Sequence, residues 1–354
     1  MASLDLPQVY QRPGYDTLVA ALQGLALEPP AWNRNRRRQG GWSAHEQESL
    51  AALRKPDVTR YISTIISSPL GWIRDEEQRE TLWDLAARRM AERCGRAAMG
   101  DMVRRWPFDA TPAADGVGAY EPFELVIREP ALTGDSLGFK TWGASYLLAH
   151  HLPALGATTL SRLFDESLRH DAPAVLELGA GTGLLGLAAA VLWRARVCLS
   201  DLPGITGNLE SNVDANRAVA EARGGTVDVG VLTWGGGEDE VDQALFGLGH
   251  QFDIVLAADP MYDHDHPALL ASAIGRHLAL GTESRAVVMV PQRDGATIRL
   301  LEAFKRAMLA LDGPLFCVEE DELAGQDDWA GDDDEGCVRC WLGVFSRVSS
   351  PAPV

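Results

Sequence analysis

The stretch Val175-Leu-Glu-Leu-Gly-Ala-Gly-Thr-Gly-Leu-Leu-Gly186 constrains this chain more than any other. A short apolar run carries Glu177 and ends in three alternate glycines, Gly179, Gly181 and Gly183. An Ala/Leu-rich segment then runs to Trp193. The pattern reads as strand, glycine turn and helix. Glycine lets the backbone turn sharply and leaves room for a ligand to lie against it. A carboxylate just before such a turn suits a cationic ligand and repels a diphosphate. That favours an S-adenosylmethionine-type cofactor, which has a cationic amino-acid tail and a ribose diol but no pyrophosphate. Gly181-Thr-Gly-Leu-Leu-Gly186 also fits the dinucleotide pattern G-x-G-x-x-G. Asp201, at the end of the next apolar run, is a ribose-binding acid for either ligand.

From Val175 onward, strand and helix patterns alternate, which implies an α/β fold with a mainly parallel sheet. The expected strands are Val175–Leu178, Arg196–Ser200, Val227–Leu232, Phe252–Ala258, Arg285–Pro291, Leu315–Glu319 and Val338–Phe345, with a further one at Phe123–Glu129. No helix separates the last two. Between them Glu319–Glu335 carries ten acids in seventeen residues, and it is expected to be a solvated, partly disordered loop. Upstream, Ser43–Arg105 is rich in Glu, Arg, Ala and Leu. Leu82, Trp83, Leu85, Ala86 and Met90 stand there at helical spacing. Residues 1–115 are therefore read as a helical N-terminal domain, closed by a linker at Thr111–Gly118.

The formal net charge of −18 disfavours nucleic acid as a direct substrate and would attract a basic protein. Five cysteines, few and odd in number, suggest a reducing compartment. Cys337 and Cys340 form a single C-x-x-C with no second pair, so a structural role is expected and no metal site. Arg34–Arg38 is read as a solvated basic loop. With no signal-peptide pattern and no apolar run of membrane length, a cytoplasmic, membrane-free protein is expected.

Further positions complete a constellation. Trp142 opens a helix upstream of the glycine strand, where an aromatic could wall a cofactor pocket. Trp234 follows the third strand and Asp259-Pro-Met-Tyr262 the fourth, at the strand ends where open α/β sheets bind ligands. A carboxyl, a peptide carbonyl and a phenol grouped there suit an incoming amine.

Taken with Asn208-Leu-Glu-Ser-Asn-Val-Asp-Ala-Asn216, these segments resemble the seven-β-strand protein-lysine methyltransferases of methyltransferase family 16 over about 120–346. Ala131–Leu148 is similar to the fungal members that methylate translation elongation factor 2. The resemblance implies a class I, Rossmann-like methyltransferase sheet with an antiparallel last strand. It places an S-adenosyl-L-methionine-dependent methyltransferase domain at 116–350 behind the helical domain. It implies cofactor contacts at Trp142, Glu177, Gly179, Ala180, Gly181, Gly183, Asp201, Trp234 and Ala258, and catalytic roles for Asp259 and Tyr262. The implied partner is a protein substrate, elongation factor 2, met by a monomeric enzyme. Thr233 departs from the family pattern, since many relatives carry an acid there. A small-molecule N-methyltransferase, an NAD(P) oxidoreductase on a similar sheet and a non-catalytic binding module are the competing readings.

Overall fold

The computed structural model describes residues 6–26, 57–93, 100–109, 120–131, 137–168, 171–326 and 337–348. The basic cluster at Arg34–Arg38, Cys94, the linker at Thr111–Gly118 and residues 327–336 lie outside them. The chain divides into two compact units, Met1–Met102 with Ala131–Thr133, and Val103–Pro130 with Gly134–Val354.

The first unit is helical, with α1 (Tyr15–Gly24), α2 (57–67) and α3 (Glu76–Ala91). Asp75 caps α3 by accepting the N–H groups of Glu77 and Gln78, which helix N-termini otherwise leave unsatisfied. The helical spacing noted in the sequence is the buried face of α3. Leu82 and Ala86 sit in a core with Leu18, Leu22, Ile62 and Ile65, while Trp83, Leu85 and Met90 border it.

In the second unit β1 (Met102–Phe108) and β2 (Phe123–Glu129) form a two-stranded sheet. Only β2 was among the strands expected from the sequence. Then follow α4 (Gly143–Ala157), β3 (Ala174–Leu178), α5 (Leu184–Trp193), β4 (Arg196–Asp201), α6 (Pro203–Glu221) and β5 (Thr226–Val231). The chain continues with the short α7 (Gln243–Phe246), β6 (Ile254–Ala258), α8 (His266–His277), β7 (Arg285–Pro291), α9 (Gly295–Leu309), β8 (Phe316–Gln326) and β9 (Cys337–Ser346).

The seven-stranded sheet has the order β5-β4-β3-β6-β7-β9-β8. Strands β3 to β7 are parallel, and β9 runs antiparallel to both of its neighbours. All seven strands expected from the sequence are present, as is the antiparallel last one. Alternate side chains face opposite layers. Leu176, Leu178, Val255, Ala257, Val288 and Val290 join the core built with α8 and α9. Glu177, Val197 and Leu199 face α5, close enough that a Cβ on Gly186 would meet all three. The switch point of the sheet, between β3 and β6, therefore opens under the start of α5.

One expectation is corrected. Glu319–Gln326, assigned from the sequence to a solvated loop, is most of strand β8. The strand lies at the sheet edge, so one side needs no apolar neighbour, and its acids find partners. Glu320 accepts the Trp341 indole N–H at 3.1 Å and pairs with Lys305 at 3.2 Å. Glu322 pairs with Arg339 at 3.2 Å. A charged edge also discourages strand addition by another chain. Cys340 is buried in β9. No described helix is long and apolar enough to cross a membrane.

Candidate active site

A cavity of about 360 Å³ opens at the carboxyl ends of β3, β4, β5, β6 and β7. It brings together Trp142, Glu177, Gly179, Ala180, Gly181, Asp201, Trp234, Ala258, Asp259 and Tyr262. Of the site residues expected from the sequence, Gly183 alone is outside its wall. The glycine there answers a packing demand: φ is +86°, and a Cβ would meet Leu209 at 2.6 Å and Leu199 at 3.3 Å. Gly183 shapes the turn and does not line the cavity.

The glycine turn is held by acids. One Asp201 oxygen accepts the Gly181 N–H and the other the Leu202 N–H, both at 2.7 Å. Burial raises the Asp201 pKa against the lowering effect of those two bonds. Each oxygen keeps a lone pair for a further donor. Glu177 is buried and accepts the Gly186 N–H at 2.8 Å. Burial pushes its pKa up to about 8, with the Asp201 carboxylate adding to the rise and the Gly186 bond opposing it. Glu177 thus sits in the wall as a poised acid that a nearby cation would ionise.

The segment Lys140–Trp142 is positioned from far downstream in the sequence, through β2. Asn208, Asn212 and Asn216 recur every four residues on α6 and so share one face. The Asn216 side-chain amide accepts the Val126 N–H and donates to the Val126 carbonyl, both at 2.8 Å. Asn212 accepts the Arg128 N–H at 2.8 Å and donates to the carbonyls of Arg128 and Thr182. Two asparagines thereby act toward β2 as a neighbouring strand would. At the end of β2, fully buried Glu129 accepts the Thr141 N–H at 3.2 Å and lies 3.6 Å from the Arg104 guanidinium. The Thr141 hydroxyl meets that of Thr182 in the glycine turn at 2.7 Å. Trp142 is then the N-cap of α4, with Lys140 Nζ at 4.7 Å and the Arg293 guanidinium at 5.2 Å from its ring centroid.

Across the cavity, the Trp234 ring meets His266 edge-on at 6.1 Å, and Tyr262 packs on His266 at 4.3 Å. His266 Nδ1 accepts the Tyr262 N–H at 3.3 Å, and burial lowers the pKa of the ring, so the imidazole is neutral. Asp259 has φ +54°, and both of its carboxylate oxygens are engaged by Arg293. The sequence reading missed His266, Lys140, Glu129 and Arg293. Arg293 was open to the rule that selected Asp259, because it follows a strand of the same edge.

The site fits S-adenosylmethionine. Gly179 and Gly181 form a cradle that side chains would fill, since a Cβ would meet Trp234 at 3.3 Å or the Gly138 carbonyl at 3.2 Å. Thr233 Oγ1 is buried in the wall and makes no hydrogen bond among the described residues. It stands beside Trp234, where an adenine amine would need a partner.

The sequence matches the family model described as lysine methyltransferase over residues 121–307. The chain belongs to the lysine methyltransferase family. Protein-lysine N-methyltransferase EFM2 of Saccharomyces cerevisiae is 31% identical over 73% of this chain and 58% of its own length. Protein-lysine N-methyltransferase rrg1 of Schizosaccharomyces pombe is 30% identical over 78% of each chain. A shorter match, EEF1A lysine methyltransferase 3 of Xenopus tropicalis, is 36% identical over 28% of this chain and 39% of its own. The matched region thus spans somewhat more than half of the first relative. Lysine methyltransferases of this family draw their methyl group from S-adenosylmethionine.

Proposed function

We propose that this chain is a cytoplasmic, monomeric protein-lysine N-methyltransferase acting on translation elongation factor 2. One observation carries the catalytic reading: a single cavity joins the glycine turn, Asp201 and Trp234 to the Asp259–Tyr262 edge. The first group suits the cofactor and the second an amine. The substrate rests on the likeness of Ala131–Leu148 to fungal elongation factor 2 methyltransferases. A relative named for another elongation factor supports the substrate class.

Asp201 would hold the ribose diol, Trp234 and Thr233 the adenine, and Trp142, Glu177 and the turn Gly179–Gly181 the amino-acid tail, with Ala258 completing the wall. When bound, the cofactor supplies a methyl group on a sulfonium that needs no further activation. The protein must therefore position a neutral amine. Only about one free lysine in two thousand is neutral at pH 7. Burying the side chain between Trp142 and Tyr262, beside a positive sulfur, disfavours ammonium. Tyr262, 62% exposed, stands where the chain of a protein substrate would enter and can hydrogen-bond the amine as it turns in line.

We assign residues 1–115 and the acidic segment Glu319–Glu335 to gripping the folded substrate, because among the described residues neither lines the cavity. The test is radiolabelled methyl transfer into intact elongation factor 2. Asp201→Ala should weaken S-adenosylmethionine binding in calorimetry and slow transfer. Asp259→Ala should slow transfer sharply and keep most cofactor affinity, and Tyr262→Phe should do so more mildly. If wild type binds NADH and not S-adenosylmethionine, the reading is lost. Label entering another protein and none entering the factor would remove the substrate assignment.

A further inference from the structure

Arg293 lies two residues beyond the end of β7 and meets Asp259 as a fork, Nη1 to Oδ1 at 3.1 Å and Nη2 to Oδ2 at 2.5 Å. Two parallel bonds of this kind are the strong, geometrically specific form of an arginine–carboxylate pair. The pair is partly sheltered, with the Asp259 side chain 9% exposed and that of Arg293 28%. The same guanidinium lies over Trp142, so residues from two segments fix its place. Asp259 is fixed too: its backbone holds a left-handed conformation rare outside glycine, and its N–H is donated to the Met289 carbonyl at 2.9 Å. Strained backbone of this kind persists where its surroundings over-determine it.

We propose that the Asp259 carboxylate acts on Arg293 rather than on the substrate amine, and that the pair sets the protonation state of the lysine entering the cavity. The inference rests on the lysine methyltransferase reading. A bare carboxylate beside a lysine stabilises ammonium, the form that cannot accept a methyl group, and raises its pKa by 1–3 units as a rule of thumb. A guanidinium bound through both oxygens cancels that charge. The wall then offers the amine a polar but nearly neutral face, and desolvation favours the uncharged form. Holding the amine in line falls to Tyr262 and to backbone carbonyls of the turn. Arg293 is a positioning residue, acting through Asp259.

The other titratable groups on the cavity wall are Lys140, Glu177, Asp201, Tyr262 and His266. Glu177 titrates near 8 and His266 below its ordinary range, so both contribute to any pH profile. They are the same in every variant below, and a difference between variants reports the pair.

The experiment is single-turnover methyl transfer to intact, unmethylated elongation factor 2 from about pH 6.5 to about 9.5, which reads groups in the bound complex. Cofactor affinity and melting temperature are measured alongside. Arg293→Gln takes the fork's positive charge from the carboxylate and should move the acidic limb up by about one pH unit or more. Asp259→Asn removes the negative charge facing the guanidinium and should move it down. The double variant, a neutral pair, should return the limb toward wild type. Arg293→Lys keeps the charge while losing the fork, and it should hold the limb near wild type even if its rate or stability falls. Limbs that stay in place in both single variants, whatever the loss of rate, would overturn the proposal, as would displacement in the same direction. A wild-type enzyme that methylates no lysine at any pH refutes the methyltransferase reading instead. Wild-type transfer with immobile limbs refutes this inference alone.

Discussion

Glu177 both holds the glycine turn and lines the cavity. Its carboxyl is buried, accepts the Gly186 N–H and has its pKa raised to about 8. The folded protein therefore binds a proton that the unfolded chain releases at the usual carboxylate pH. Between that value and about 8, stability of the cofactor-free protein falls as pH rises, by up to about 1.4 kcal/mol per unit. Glu177→Gln cannot ionise, and its melting temperature should decline less from pH 6 to pH 9 on the same ramp. A cationic tail at the wall favours the ionised acid, so cofactor binding near pH 7 should release a proton. Calorimetry in buffers of different ionisation enthalpy should show that release in wild type and not in Glu177→Gln. Equal proton release in both would place the titrating group elsewhere.

At the scale of elements, α6 does more than cover the sheet. Its asparagine row holds β2 in place, and β2 delivers Glu129 to the backbone that sets Trp142. Asn212→Ala removes the acceptor of the Arg128 N–H and a donor to two carbonyls. Leaving buried backbone groups unsatisfied costs about 1–3 kcal/mol each. The expected outcome is a loss of about 2 kcal/mol or more in chemical denaturation, together with weaker cofactor binding through displacement of Trp142. Asn212→Ala with stability lowered and cofactor affinity unchanged would mean that β2 does not position the cavity wall. The row was visible in the sequence as a spacing of four. Its partner strand was not, because Val126 and Arg128 stand more than eighty residues away.

For the whole molecule, the net charge of −18 is the property that acts at longest range. Exposed charges are screened beyond about 8 Å at physiological ionic strength. Methylation of a folded, basic surface should therefore show KM rising with salt while kcat changes little. A peptide bearing the target lysine should be a far poorer substrate than the intact factor, because it cannot reach both the helical domain and the acidic segment. Equal rates on both substrates would remove the docking role assigned to these regions.

The glycine turn, the alternation of strand and helix and the missing last helix were legible in the sequence because each is written in neighbouring residues. Backbone conformation at Gly179 and Gly181, and the continuous burial of β3, β4, β6 and β7, are local demands on residue type. The sequence therefore determined the sheet, the cofactor class and the edge at which the cavity opens. It misjudged β8, since composition alone cannot tell a polar edge strand from a solvated loop. Only the tertiary structure decided which side chains face one another there. It moved Gly183 out of the cavity wall, tied Trp142 to β2 through Glu129 and gave the Asp259 carboxylate to Arg293. Those pairings join residues 12 and 34 positions apart, or follow from packing across a helix. No local pattern encodes a distance that the fold itself creates.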